Sequence, residues 1–188
     1  HKAQGAVTFR QVHACPAWRL ERLATWLSLE IRGVLQRECT HLVRDTTELV
    51  ERLRAIPNQH ECHFMRLDVA DFHLSGEHDT LKEDVAALFE GPRRMLIRDV
   101  TEFLLDSQFV QRKFAPYKDN YDASALWKVL EGTGMGLGHS GDVADGALWA
   151  RGERILTKRP VLDNFEVADY FRFRDDILLI SQNRRKAI

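Results

Sequence analysis

The feature that most constrains this chain is a pair of adjacent aspartates, Asp175 and Asp176, set between two apolar runs in residues 170–180. Before the pair, the side chains alternate, with Phe171 and Phe173 on one face of a predicted strand. The opposite face carries Tyr170, Arg172 and Arg174. The run after the pair is rich in β-forming residues, so the stretch predicts a β-hairpin with two carboxylates at its tip. Adjacent carboxylates repel each other unless a cation lies between them, which leaves two interpretations, a divalent metal site or a solvated turn.

Composition bounds the chain without assigning a function. The 188 residues are 44% hydrophobic, which is enough for one sizeable core or two small lobes. The formal net charge of −1 gives no overall signature of nucleic-acid binding, so such binding must depend on local clusters. Cys15, Cys39 and Cys62 form no metal-type pair and are typical of reduced thiols in an intracellular protein. No apolar run approaches the roughly 18 residues of a membrane span.

Helical periodicity predicts four helices in the first part of the chain. The first covers residues 16–37 and carries a broad apolar stripe. Asp45 and Glu48 form a capping-box pattern for the second, in which Asp45 accepts a hydrogen bond from the first turn and Glu48 reaches back; it stops before Pro57. The other two are predicted over residues 77–90 and 92–106.

A strand is predicted between the second and third helices. Residues 64–69 alternate, and one face is expected to be buried. This face carries Met65, Leu67 and Val69, and the other carries Phe64, Arg66 and Asp68. Asp68 is therefore predicted near the end of a strand, opposite its buried side chains.

A glycine-rich turn follows a stretch of predicted strand and loop at residues 107–131. Residues 132–141 contain five of the eleven glycines in the chain, which lets the backbone approach a flat base or a sugar more closely than bulky side chains would allow. Ser140 is predicted to cap a helix that continues to about Leu156. Residues 157–168 are predicted to form a loop that leads into the hairpin.

Together, these features indicate a chemistry. If the strand that ends at Asp68 lies beside the hairpin, its carboxylate joins Asp175 and Asp176 around shared metal ions. Two Mg²⁺ ions about 3.5–4 Å apart suit the attack of a 3′-hydroxyl on an α-phosphate. Aspartates without histidine or cysteine are the ligand set that Mg²⁺ prefers.

Three segments resemble the conserved motifs of reverse transcriptases. Residues 67–72 resemble motif A, residues 132–136 resemble motif B, and residues 173–176 resemble motif C. The upstream segment 41–49 is similar to the fingers segment of Penelope-like retroelement polymerases. The resemblance implies an α+β fold, with a palm of small antiparallel sheet backed by helices, a helical fingers segment and no thumb.

The resemblance also implies an organisation and a function. The chain would be a single reverse transcriptase domain fragment, with a fingers portion over about residues 1–62 and a palm with a fingers insertion over about residues 63–182. It would be an RNA-directed DNA polymerase of a retroelement, which acts in the nucleus on an RNA template, a DNA primer and deoxynucleoside triphosphates. No membrane is expected as a partner.

Site residues follow from the same motifs. The catalytic, metal-binding carboxylates would be Asp68, Asp175 and Asp176, and the carbonyl of Val69 would be a further ligand of two Mg²⁺ ions, which Mn²⁺ could replace. The nucleotide-binding residues would be Phe72, His73, Met135 and Gly136. His73 lies where the family usually has Tyr or Phe, the side chain that screens the 2′-position of the sugar.

Several alternatives stay open from the sequence. Asp71 fits a turn or cap better than a metal ligand, and Asp142 and Asp145 fit first-turn carboxylates that favour the helix dipole. Residues 60–63 (His-Glu-Cys-His) suggest zinc only superficially, since their spacing fits no standard site. Two further hypotheses for the whole chain are a degenerate, inactive fragment that binds nucleic acid or only folds, and an unrelated Mg²⁺-dependent phosphohydrolase.

Overall fold

A computed structural model of the chain describes residues 19–111 and 126–182. The helices are α1 (Glu21–Glu38), α2 (Thr46–Arg54), α3 (His78–Ala86), α4 (Gly91–Asp106), α5 (Ser140–Leu148), α6 (Arg154–Leu156) and α7 (Arg159–Asn164). The strands are β1 (His63–Asp68), β2 (Phe109–Gln111), β3 (Leu126–Lys128), β4 (Val167–Phe173) and β5 (Asp176–Ser181). A π-helical turn over Trp149–Glu153 joins α5 to α6, and a 3₁₀ turn covers Gln59–Glu61. Small antiparallel sheets backed by helices confirm the predicted α+β class.

Helix α1 supplies the centre of the larger core. The described part of the predicted apolar stripe is buried or partly buried, and Leu27 and Ile31 are fully excluded from solvent. Around them pack Val85 from α3, Ile97 from α4 and Val143 from α5. Since full burial of one aliphatic side chain contributes about 1.5–3 kcal/mol, this cluster holds α5, and with it the end of the glycine-rich turn, in place. The predicted helix start at Pro16 lies outside the described residues.

The main sheet has the strand order β1–β5–β4, and both strand pairs are antiparallel. Strands β4 and β5 form the predicted hairpin. One face of this sheet is apolar, because Phe171 and Ile180 pack with Val43 and Ile56 and with the inner side of α2. Strands β2 and β3 form a separate two-stranded sheet within the region predicted as strand and loop.

The other face of the hairpin carries a buried charge. Arg172 lies on the predicted face together with Tyr170, and its side chain is fully buried. It faces α5 and the π-helical turn, where the carboxylates of Asp145 and Glu153 accept its hydrogen bonds. Strand β1 differs in the opposite sense, because no residue in it is buried and Leu67 is 42% exposed. β1 is an edge strand of the sheet. Its alternating residues therefore point to opposite faces, as predicted, but within the described residues neither face is covered.

The capping box at the start of α2 is confirmed in one half. Asp45 accepts a hydrogen bond from the backbone N–H of Glu48 at 2.9 Å. The carboxylate of Glu48 reaches back one residue further than predicted and accepts from the backbone N–H of Arg44, also at 2.9 Å. The helix ends at Arg54, before Pro57, so the two sequence signals mark its bounds well.

Two predictions after the glycine-rich turn are wrong in detail. Residues 157–168 were predicted to form a loop, but α7 occupies half of them, with Pro160 in its first turn, where a missing N–H costs nothing. Ser140 is not a capping acceptor, because its hydroxyl donates to the carbonyl of Leu137 at 2.8 Å. The helix predicted from Ser140 to Leu156 is present, interrupted by the π-helical turn. Among the described helices, none combines the length and apolarity of a transmembrane span.

Candidate active site

The hairpin between β4 and β5 is tight. Phe173 pairs with Asp176, so only Arg174 and Asp175 form the connection. Arg174 adopts a φ of 55°, a left-handed conformation that costs a residue with a Cβ about 1–2 kcal/mol. The strain persists because surrounding contacts fix it: the side chain of Arg174 is bound by the carboxylates of Asp142 and Asp145 on α5.

Two of the three predicted carboxylates lie side by side. In the pairing of β1 with β5, Asp68 stands directly opposite Asp176, where paired Cα atoms are about 4.5–5.5 Å apart. Asp175 is next in the chain, and its carbonyl accepts from the backbone N–H of Val69 at 2.8 Å. This bond continues the ladder past the end of β1 and fixes the backbone of Val69 beside the tip. The structure thus brings together the segments that carry these four predicted residues.

A cation that the sequence interpretation missed lies at this tip. The guanidinium of Arg66 donates twice to Oδ1 of Asp176, from Nε at 3.0 Å and from Nη2 at 2.7 Å. The hydrogen bond and charge of Asp176 raise the pKa of Arg66, and the charges of Asp68 and Asp175 add to this effect. The available signal was position, because Arg66 lies two residues before Asp68 on the same face of β1.

The donors at the tip fit Mg²⁺ in their chemistry. Asp68 is exposed, and Asp175 and Asp176 are half-exposed carboxylates, the hard oxygen ligands that Mg²⁺ takes together with waters and substrate phosphates. Across residues 19–111 and 126–182, no three metal-ligating side chains converge closely enough to form a complete metal centre. A site here would hold its ions through few protein ligands and an open, wet coordination sphere.

The glycine-rich turn lies against the segment that follows Asp68. The backbone N–H of Gly132 donates to the carbonyl of Gly76 at 2.8 Å. The N–H groups of Thr133 and Gly134 both donate to the carbonyl of His73, at 2.9 and 3.3 Å. The segment that resembles motif B is therefore joined by direct backbone hydrogen bonds to the residues that immediately follow the motif A segment.

Gly132 allows this close approach. A Cβ at this position would lie 2.6 Å from the carbonyl oxygen of His73, and φ is +79°. We expect Gly132→Ala to lower the free energy of unfolding by about 1–3 kcal/mol, because neither backbone can move away cheaply. Urea denaturation measures the loss. The matched control is Gly138→Ala, where an added Cβ meets nothing within 4 Å, and equal effects of the two substitutions would contradict the explanation.

The predicted nucleotide-binding residues divide into two groups. His73 is half-buried beside the turn, with Nδ1 3.4 Å from the hydroxyl of Thr133. Burial, and then the charge of Arg174, lower the pKa of His73. Phe72 is buried, with its ring beneath the guanidinium of Arg172 and edge-on to His73, so it supports the site from inside. Within the turn, Met135 is half-exposed and Gly136 is exposed, with φ +100°.

A buried charge network supports the hairpin from behind. Its members are Ser28, Arg32, His41, Asp142, Asp145, Glu153, Tyr170, Arg172 and Arg174. At its centre, Arg172 donates to the two carboxylate oxygens of Glu153 at 2.6 and 2.8 Å and to Asp145 at 2.5 Å. A further bond runs from Arg172 to the carbonyl of Arg174 at 2.8 Å. One fully buried guanidinium therefore holds both α5 and the backbone of the tip.

Asp142 and Asp145 have a different role from the one predicted. Both side chains are buried, and they pair with arginines instead of merely favouring the helix dipole. Asp142 accepts from the hydroxyl of Ser28 at 2.5 Å and from Arg32 at 2.8 Å, which ties α5 to α1. Asp145 is shared by the two hairpin arginines.

The network keeps fixed charges in the interior. Burial alone would raise the pKa of Glu153, but the close contact with His41 and the hydrogen bonds from Arg172 outweigh it and lower the pKa to about 2. Burial, and then the charge of Glu153, raise the pKa of Tyr170. Glu153 is therefore ionised at neutral pH, and the hydroxyl of Tyr170 stays protonated and donates to it at 2.6 Å.

His139, at the start of α5, makes stability depend on pH. It is fully buried, and burial lowers its pKa to about 4 against a weaker opposing effect of Asp142. The unfolded chain binds this proton near pH 6.5 and the folded chain near pH 4, so the free energy of unfolding should fall as pH falls through this window. We expect a loss of about 2–3 kcal/mol between pH 7.5 and pH 4.5, measured by urea denaturation.

The substitution His139→Gln should remove most of this pH slope, leaving the part that His73 contributes in the same direction. His60→Gln, at an exposed histidine of the 3₁₀ turn, is the matched control. A His139→Gln protein that retains the full slope of the wild type would show that another group titrates.

Local geometry assigns Asp71 to a turn. Asp71 has a φ of 52°, and its carbonyl accepts from the N–H groups of Leu74 and Ser75 at 2.8 and 2.9 Å, so it is a turn residue, as predicted. In the described ranges, no group of three or more histidine, cysteine or acidic side chains that could hold a metal includes residues 60–63.

Comparison with solved structures identifies the fold. An apo telomerase from Candida tropicalis truncated from its C-terminal domain aligns with a TM-score of 0.61 at 15% identity, over 91% of this chain and 36% of that chain. Another apo telomerase structure from Candida tropicalis aligns with a TM-score of 0.58, also at 15% identity, over 89% of this chain and 32% of that one. The chain thus spans about a third of the length of these telomerases. No protein-family model matches the sequence, and no curated protein matches it. The likeness shows a fold of the kind found in telomerase, a reverse-transcriptase-related enzyme.

Proposed function

We propose that this chain is the fingers and palm part of an RNA-directed DNA polymerase. The observation that carries the proposal is the placement of Asp68 directly opposite Asp176, with Asp175 at the adjoining turn. The telomerase-like fold supports it, because the pairing occurs in a sheet of the expected small antiparallel kind. The division into a fingers portion before about residue 63 and a palm after it is part of this proposal.

Asp68, Asp175 and Asp176 would hold two Mg²⁺ or Mn²⁺ ions, with the carbonyl of Val69 as a backbone ligand. When bound, such ions lower the pKa of the attacking 3′-hydroxyl and stabilise the charge on the phosphates. The protein itself orients these carboxylates, through the hydrogen bond from the N–H of Val69 to the carbonyl of Asp175 and through the buried charge network behind the tip.

The nucleotide would lie between the tip and the glycine-rich turn. His73, fixed by two backbone N–H groups of that turn, would face the sugar, and Met135 and Gly136 would contact the base pair. Phe72 is buried, so we propose that it positions His73 and does not touch the substrate. Deoxynucleoside triphosphates are the proposed substrates.

Nucleic acid would reach the site through an adjoining cleft. A cleft of about 740 Å³ lies between α1, α2 and the tip, and four arginines with at least partly exposed side chains border it. These are Arg32, Arg44, Arg52 and Arg174. Each is paired with an acid, so phosphates would exchange with existing partners instead of meeting free charges. We propose that an RNA template and a DNA primer occupy this cleft. We also propose that the protein belongs to a Penelope-like retroelement and acts in the nucleus.

Primer extension tests the function directly. The protein is mixed with an RNA template annealed to a DNA primer, deoxynucleoside triphosphates and Mg²⁺, and extension is followed on a sequencing gel. We expect extension that stops on chelation of the metal, since the proposed ligands are all hard oxygens. Hydrolysis of the nucleotides without any template would instead indicate a phosphohydrolase.

A second candidate is a palm that binds nucleic acid without catalysis. The ion pair between Arg66 and Asp176 favours it, because a carboxylate neutralised by a guanidinium is a poorer metal ligand. In this case, the affinity for an RNA–DNA hybrid would be the same with Mg²⁺ and with a chelator, and no primer would be extended.

A further inference from the structure

Arg66 lies beside the proposed metal ligands at the tip of the hairpin. It precedes Asp68 by two residues on β1 and lies diagonally across from Asp176 on β5. Its Nε and Nη2 bind Oδ1 of Asp176 at 3.0 and 2.7 Å. Within the described residues, the side chain of Arg66 makes no other hydrogen bond, so the position of the guanidinium depends on the carboxylates at the tip.

The tip needs a positive charge when no metal is bound. Asp68 and Asp176 stand opposite each other on β1 and β5, and Asp175 lies at the adjoining turn, so their negative charges repel one another. Arg66 supplies this charge from within the protein. A divalent ion bound to the same carboxylates would in turn repel the guanidinium, because both carry positive charge within a few ångströms.

We propose that Arg66 is the resident counter-cation of the carboxylates at the tip, and that it must release Asp176 before a divalent metal binds there. Arg66 therefore sets the metal affinity of the site. The inference rests on the polymerase function proposed above, and it adds a residue outside the resembling motifs that acts on the metal ligands.

The geometry makes such an exchange easy. Both hydrogen bonds go to one oxygen, so Oδ2 of Asp176 takes no bond from Arg66. The Arg66 side chain is 76% exposed and that of Asp176 is 47% exposed, so the guanidinium can swing into water on its flexible stem. It borders a groove of about 470 Å³ between β1, the hairpin and the start of α2, which leaves room for this movement.

Metal affinity, measured without catalysis, tests the proposal. Free Mn²⁺ is followed by electron paramagnetic resonance during titration of the protein. We expect Arg66→Met to tighten Mn²⁺ binding about two- to fivefold, the range that an exposed ion pair supports. Arg66→Lys, which keeps the charge but cannot make both bonds, should give a smaller change. Arg93→Met removes an exposed arginine that pairs with Glu30 and should leave the affinity unchanged.

A double-mutant cycle separates exchange at Asp176 from a general effect of charge. In an Asp176→Asn background, Arg66→Met should no longer tighten binding, because the carboxylate that it releases is gone. The same two- to fivefold gain in both backgrounds would overturn the proposal, and so would an unchanged affinity in Arg66→Met alone.

The experiment also distinguishes failure of this inference from failure of the proposed function. If Asp68→Asn and Asp176→Asn weaken Mn²⁺ binding while Arg66→Met has no effect, the metal site stands and the role of Arg66 is wrong. If neither aspartate substitution changes the affinity and Arg66→Met does not tighten it, no metal site exists at the tip, and the polymerase proposal fails together with the inference.

Discussion

Primer extension on an RNA template should fall by at least about a thousandfold when Asp68 or Asp175 is replaced by Asn. Asn keeps the size of the side chain but removes the negative charge that holds a divalent metal. Metal ions contribute several kcal/mol of transition-state stabilisation, and each 1.36 kcal/mol corresponds to a factor of ten in rate. Single-turnover extension at saturating Mg²⁺ and nucleotide measures the effect on the chemical step.

The two variants should retain the fold, because Asp68 is exposed, Asp175 is half-exposed, and the hydrogen bond at the turn is made by the backbone of Asp175. Asp99→Asn, at an exposed position of α4, is the matched control for the loss of one carboxylate and should extend primers like the wild type. Extension by Asp175→Asn at the wild-type rate would remove the catalytic assignment of the tip.

The largest effect on stability should come from Arg172→Met. The substitution keeps an unbranched side chain but leaves Glu153 and Asp145 buried without their main cation. Breaking a buried ion pair from one side costs about 3–5 kcal/mol, because the remaining charge is uncompensated. Urea denaturation at pH 7 should show this decrease in the free energy of unfolding.

Arg93→Met serves as the control, since the pair of Arg93 with Glu30 is exposed on the arginine side and such pairs contribute at most about 1 kcal/mol. If Arg172→Met does not fold, Glu153→Gln provides a milder version that keeps hydrogen bonding and loses one charge. A loss below about 1 kcal/mol in both variants would mean that the buried charge network contributes little to stability.

Local patterns predicted much of the fold. The hairpin, the strand that ends at Asp68 and the helices up to Asp106 are each specified by short-range signals such as alternation, apolar stripes and the capping box at Asp45. The juxtaposition of Asp68 and Asp176 could also be predicted, because it required only that two predicted strands be neighbours.

The charge pairing could not be predicted in the same way. Arg172 alternates with aromatic residues on its strand, and this pattern equally fits an exposed arginine and a buried arginine with acidic partners. The partners, Asp145 and Glu153, come from another element, and a π-helical turn helps to bring Glu153 to the correct side. Acidic residues among the small and apolar side chains of α5 were the available signal, since such surroundings predict burial.

The order of the strands leaves the two outer edges of the main sheet differently exposed. The outer edge of β4 is covered, because the N–H of Arg172 donates to His41 and the N–H of Val43 donates to Arg172. In the described residues, the outer edge of β1 has no such cover, and exposed edges invite pairing with other chains. The exposed Phe64 adds an apolar attraction there, and the charge of Arg66 opposes it. We expect the variant Arg66→Met to associate more readily than the wild type, so it should be studied at low protein concentration.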